Sequence, residues 1–133
     1  DYAHHPTEIK ATLAAARSSY PGQRIMAVWQ PHTYSRTQAL FNNFLHSFTD
    51  ADEVLVTEIY PAREPHQDFS SRQVVDAMPH PSAQYTGDLI TTVNALINQT
   101  HPGDIVLVLS AGDADQVNKQ VMAGLLEKNH GKE

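Results

Sequence analysis

The sequence contains no cysteine. That absence removes disulfides, thiolate nucleophiles and cysteine-ligated zinc together, and it suits a protein of the reducing cytoplasm. Long apolar runs are lacking as well, since none approaches the roughly 20 residues that span a bilayer. The amino end shows neither the positive charge nor the apolar stretch of a secretory signal. Positive charge is scarce: nine Lys and Arg face fifteen Asp and Glu, for a formal net charge of −6. The cations are scattered, whereas nonspecific nucleic-acid binding is built on Lys and Arg that displace counterions from phosphates. No segment is low-complexity. Together these absences predict a soluble cytoplasmic protein with neither nucleic acid nor membrane as a partner.

What is present is an ordinary globular composition, 41% hydrophobic and 18% charged over 133 residues, enough for a single domain with a real core. Residues 1–133 are read as that domain. Ile9, Leu13, Ala16 and Tyr20 recur at helical spacing behind Pro6 and Glu8, and Pro21-Gly22 stops that helix. Residues 24–29 form a short apolar run between turn signals, the pattern of a buried strand. Ser35 with Gln38 gives a capping-box signature for an amphipathic helix carrying Leu40, Phe41, Phe44, Leu45 and Phe48. Residues 53–59 read as a second buried strand, residues 60–69 as a polar loop, and Ser70 with Gln73 repeats the capping signature before Val74, Val75 and Met78. A helical stripe of Leu89, Ile90, Val93, Leu96 and Ile97 precedes a Pro102-Gly103 turn, a strand at 105–109 and a last helix from about Asp115. Apolar strands alternating with amphipathic helices predict an α/β fold: a Rossmann-like three-layer domain, its sheet mostly parallel with helices on both faces.

Ligands of such sheets bind beyond the carboxyl ends of the strands. Three segments leave those ends: QPHTYSRT (30–37), YPAREPHQDFSSR (60–72) and SAGDAD (110–115). If DYAHH (1–5) also follows a strand it makes a fourth, and a chain opening on such a loop reads as a piece of something longer. The adjacent pair His4-His5 has no third ligand at a metal-site spacing such as HExxH, so no metal is assigned to it, and helix-leading histidines are the plain alternative. His32 and Arg36 lie between a strand end and a first helical turn. There an Arg can grip a carboxylate with two prongs while open backbone N–H groups add positive potential; the alternative is an Arg36 paired with an acid on a neighbouring helix. SAGDAD has one glycine and no P-loop lysine, and reads as a turn with Asp113 or Asp115 as N-cap. Ser110 lacks a GxSxG elbow. Arg63, Glu64 and Asp68 sit in the longest loop, where function and simple solvation are both open.

Taken jointly, DYAHHPTEI, WQPHTYSRT, EIYPAREP and LSAGDAD resemble the carboxyl-terminal domain of the Mur ligases, and within them the branch that joins L-alanine to UDP-N-acetylmuramate. The resemblance runs from Asp1 to the last helix, and DYxHHPTE with QPHxYxRT is its most specific part. A murein tripeptide ligase domain is the near alternative. A non-catalytic α/β module for a small anion and a His-based metallohydrolase are readings from other classes. The resemblance implies a three-domain enzyme with an amino-terminal UDP-sugar domain, a central P-loop ATPase domain and this domain bringing the amino acid. It further implies that ATP with Mg2+ phosphorylates the muramyl carboxylate and that the alanine amine attacks the acyl phosphate, in peptidoglycan synthesis. It places Tyr2, His4, His32 and Arg36 around L-alanine, gives His4 and His5 catalytic roles, and sets Asp1 near the ribose of ATP. The chain has no GxxxxGK[ST], so it is expected to be inactive alone and to hold no cofactor tightly. Three positions depart from the family pattern: Thr33 stands where many members have a second Arg, Arg63 where many have Gly, and SAGD where many have GAGD.

Overall fold

The computed structural model describes residues 5–110. Asp1, Tyr2, His4, Asp113 and the helix expected from Asp115 lie outside them. Four strands, β1 (Ile25–Trp29), β2 (Glu53–Thr57), β3 (Ala83–Gly87) and β4 (Ile105–Leu109), form one sheet in the order β3-β2-β1-β4, and every pairing is parallel. The helices are α1 (Pro6–Ser19), α2 (Tyr34–Ala39), α3 (Phe41–Leu45), α4 (Ser71–Ala77) and α5 (Leu89–Gln99).

The period-two alternation of a strand divides the core between the two faces. Ile25, Ala27 and Trp29 of β1, with Val54 and Val56 of β2 and Leu109 of β4, pack against Ile9, Leu13 and Ala16 of α1, Phe44 of α3 and Val74 of α4. Met26, Val28, Leu55 and Val108 point the other way, onto Val93 and Leu96 of α5. All five residues of β1 are buried, as a central parallel strand covered on both faces requires. The Trp29 ring lies 4.7 Å from that of Phe44 and 5.1 Å from that of Phe48, joining strand and helix layers by aromatic packing. This is the expected three-layer α/β arrangement.

Four details differ from the sequence expectations. β3 went unforeseen because it is a polar edge strand, AQYTG, half-buried along its whole length, so no apolar run marks it. The helix expected from Ser35 through Phe48 is two short helices, broken at Leu40, and Phe48 is buried beyond their end. Its cap is Thr33, whose hydroxyl accepts the Arg36 N–H, and not Ser35. Tyr20 and Ile90 are exposed, at 46% and 73%, although each sits at a core-like spacing. Tyr20 is the residue that terminates α1, past its last buried turn, and Ile90 lies in the first turn of α5 with its apolar neighbours Val93 and Leu96 turned inward.

The strand order fixes where a site can form. From β1 the chain moves outward to β2 and β3, then crosses back to β4 on the opposite side of β1. The topological switch point therefore lies at the carboxyl ends of β1 and β4, the place where open α/β sheets bind ligands.

Candidate functional site

The segments that leave β1, β2 and β4 are bonded to one another at this edge. Gln30 continues β1 by donating its backbone N–H to the Leu109 carbonyl at 3.1 Å, and the buried Ser110 hydroxyl donates to Gln30 Oε1 at 2.8 Å. On the other side the Tyr60 N–H donates to the Pro31 carbonyl and the Thr33 N–H to the Tyr60 carbonyl, each at 2.8 Å. His32 and Tyr60 thus form a parallel bridge beyond the ends of their strands, with rings stacked at 5.7 Å. Two loops that sequence alone could only nominate separately thus meet Ser110, the first residue past β4, at one rim.

His32 and Arg36 meet across this rim. Arg36 Nη1 lies 3.3 Å from His32 Nδ1. A guanidinium only donates, so Nδ1 is the acceptor and the imidazole carries its proton on Nε2. Among the described residues Arg36 forms no ion pair with a carboxylate, unlike Arg17 with Asp52 and Arg24 with Asp104. The alternative of an Arg36 paired with an acid on a neighbouring helix is therefore not what the described residues show.

The other half of the expected anion site is different. The backbone N–H groups that open α2 are already bonded. Glu64 Oε1 accepts from the N–H of Tyr34 at 2.6 Å and of Ser35 at 3.2 Å, Glu64 Oε2 accepts from the Ser35 hydroxyl, and the Arg36 N–H goes to Thr33 Oγ1. The hydrogen bond from the Ser35 hydroxyl, joined by the backbone N–H groups of Ser35 and Tyr34, outweighs desolvation and holds the Glu64 carboxyl below the usual carboxylate range. The start of α2 is thus occupied by a carboxylate of the chain itself, while the Arg36 side chain faces His32. Of the loop residues whose role was open, Arg63 and Asp68 are exposed and Glu64 ties back to α2.

Thr33 has φ 66° and ψ 147°, a conformation that a β-branched residue rarely adopts. It is held there by its N–H to Tyr60, by the Arg36 N–H on its hydroxyl and by the Thr37 hydroxyl on its carbonyl at 2.7 Å. Ala62, next to Arg63, also has positive φ, 56°. His5 caps α1: its exposed ring accepts the Thr7 N–H on Nδ1 at 3.2 Å, which leaves Nε2 as the protonated, donating nitrogen of the neutral ring.

Glu58, just past β2, is a structural acid that sequence reading missed. Burial opposes its ionisation, but hydrogen bonds from the Ser70 hydroxyl, the N–H groups of Ile59 and Ser71 and the Tyr85 hydroxyl outweigh that cost and hold it below the usual range. The same burial, and the bond to Glu58, push Tyr85 up. A cleft of about 260 Å³ lined by Leu45, His46, Phe48, Asp52 and His80, among others, lies at the opposite edge of the sheet, where Ala51 and Asp52 lead into β2. Its His80 is committed to structure, bonded to the Ala51 carbonyl at 2.7 Å and to the Ser82 N–H at 3.0 Å. Among the described residues no group of three or more His, Asp or Glu is arranged to hold a metal ion, and no helix is long and apolar enough to cross a membrane.

The family described as Mur ligase, glutamate ligase domain matches residues 1–112. The UDP-N-acetylmuramate--L-alanine ligase of Roseiflexus castenholzii is 42% identical over 126 residues, covering 94% of this chain and 26% of that protein. The protein of the same name from Desulforamulus reducens is 44% identical over 132 residues, covering 96% of this chain and 28% of its own length. The chain thus spans about a quarter of the curated relatives it matches. The crystal structure of a UDP-N-acetylmuramate-alanine ligase from Thermotoga maritima superposes with a TM-score of 0.71 at 23% identity, over all of this chain and 26% of that one, a likeness of fold.

Proposed function

From its membership of the Mur ligase family, as a glutamate ligase domain, we propose that the chain is the carboxyl-terminal, amino-acid-binding domain of a cytoplasmic ATP-dependent ligase that joins L-alanine to UDP-N-acetylmuramate. Residues 1–133 form that domain, and the UDP-sugar and ATPase domains belong to the rest of the enzyme. The names of the relatives at 42% and 44% identity support the choice of L-alanine. The observation that carries the site is the contact of Arg36 with His32 at the switch point of the sheet.

Free L-alanine offers a carboxylate, an ammonium and a methyl group. The Arg36 guanidinium takes the carboxylate, since its planar fork matches two oxygens. His32, with Nδ1 turned to Arg36, orients that fork and acts as a positioning group rather than as a base at Nδ1. Tyr2 and His4 complete the amino-acid pocket. In the ligation the amine must be neutral to attack the acyl phosphate; the C–N bond forms as phosphate leaves, and the amine proton passes to a histidine, His4 or, once it releases the Thr7 N–H, Nδ1 of His5. Asp1 is assigned to the ribose of ATP. ATP and Mg2+ supply the activated carboxylate, and the chain offers no GxxxxGK[ST] and, among the described residues, no metal-binding cluster, so none of its described side chains is given a step at the phosphates.

Arg36→Ala in the whole ligase tests this reading. The KM for L-alanine is expected to rise at least tenfold, the loss of one charge-assisted contact, with the KM for ATP unchanged. An unaltered alanine KM would remove Arg36 from the site.

A further inference from the structure

Nothing in the resemblance or in the relatives' names gives Glu64 a part. We propose that Glu64 is a positioning residue for amino-acid binding: it splints the first turn of α2 so that Arg36 faces the carboxylate of L-alanine. The inference rests on the reading of Arg36 given above and deepens it.

The physical problem is the size of α2. It has six residues, too few to repay nucleation by its own hydrogen bonds, and its first turn must leave Thr33 at positive φ. Arg36 is the third residue of that helix, and its direction depends on whether the turn forms. Glu64 bonds both N–H groups that open the turn, those of Tyr34 and Ser35, and also the Ser35 hydroxyl. Behind it the loop of residues 60–67 runs along 31–38 as a splint, through Tyr60 with Pro31 and Thr33, Tyr34 Oη with His66 at 3.3 Å, and Gln38 with Gln67 at 3.2 Å. The arrangement has a second consequence: a carboxylate of the chain fills the helix start, so a substrate carboxylate is directed to the Arg36 side chain.

The contacts distinguish geometry from charge. Both backbone bonds end on one oxygen, Oε1. A glutamine keeps that acceptor and the length of the side chain while losing the charge; an aspartate keeps the charge and loses the reach. The experiment is steady-state kinetics of the whole ligase with Glu64→Gln, Glu64→Asp, Glu64→Ala and, as the reference for the site itself, Arg36→Ala. We expect Glu64→Gln to keep the alanine KM within threefold of the parent, and Glu64→Asp and Glu64→Ala to raise it about tenfold, with the KM for ATP within twofold throughout. An alanine KM that rises in Arg36→Ala but not in Glu64→Ala or Glu64→Asp overturns the role of Glu64 and leaves the site standing. An alanine KM unmoved by Arg36→Ala overturns the underlying reading instead. If Glu64→Ala does not fold, the Gln and Asp variants decide the matter: Asp nearer the parent than Gln would show that charge and not reach is what counts, and would contradict the proposal.

Discussion

At the scale of single residues, the acids of this domain separate into those that hold the scaffold and those that shape the site. Glu58 belongs to the first kind, with donor groups of Ile59, Ser70, Ser71 and Tyr85 converging on its carboxylate. Its folded-state pKa is lowered, so its contribution to stability is complete above the pKa of an unperturbed glutamate, about 4.3. That contribution is lost as the pH falls through the lower folded value. Glu58→Gln should remove on the order of 1 kcal/mol at neutral pH, once solvent screening is allowed for. It should also flatten the acid limb of stability below the pKa of an unperturbed glutamate. Denaturant unfolding at neutral pH and along that limb checks both, and acid limbs of equal steepness in parent and variant would contradict the assignment. The residue types at the site were legible in the sequence, with His32 and Arg36 four positions apart at a strand-to-helix junction. The roles of Glu58 and Glu64 were not, because each acts on a segment remote in sequence: Glu64 on residues 30 and 29 positions away, and Glu58 on Ser70 and Tyr85.

At the scale of elements, local signals located helices well where a cap is made by neighbouring residues. Ser70 and Gln73 form the capping box their spacing foretold, each side chain bonded to the other's backbone N–H region at the start of α4. Ser70→Ala should cost about 1 kcal/mol for the cap, together with loss of the bond to Glu58 at 2.6 Å. A thermal unfolding midpoint indistinguishable from the parent's would argue against the cap's contribution. The corresponding signature at Ser35 and Gln38 misled, and the reason is physical. Thr33 enters positive φ, at a strain of about 1–3 kcal/mol, because bonds to Tyr60 and Thr37 hold it there. No local propensity announces a conformation stabilised from another loop. β3 escaped notice for a related reason: an edge strand needs no continuous apolar run, and its place is set by pairing with β2.

At the scale of the whole molecule, the parallel three-layer architecture was readable because it rests on burial pattern alone. Strands 25–29, 53–57 and 105–109 alternate their side chains between two helical layers, and that alternation is written in the sequence. The strand order is not, and with it the fact that the loops after β1 and β2 meet Ser110, the first residue past β4, at one rim. That convergence turns His32 and Arg36 from two polar loop residues into a directed pair at the switch point. The central claim is that this pair receives the amino-acid carboxylate. The measurement that tests it most directly is a crystal structure of the whole ligase with L-alanine bound. The account predicts the alanine carboxylate within about 3 Å of the Arg36 guanidinium, beyond the carboxyl ends of β1 and β4 and beside His32. Alanine bound with its carboxylate on another cation, or at the opposite edge of the sheet beside His46 and His80, would contradict it.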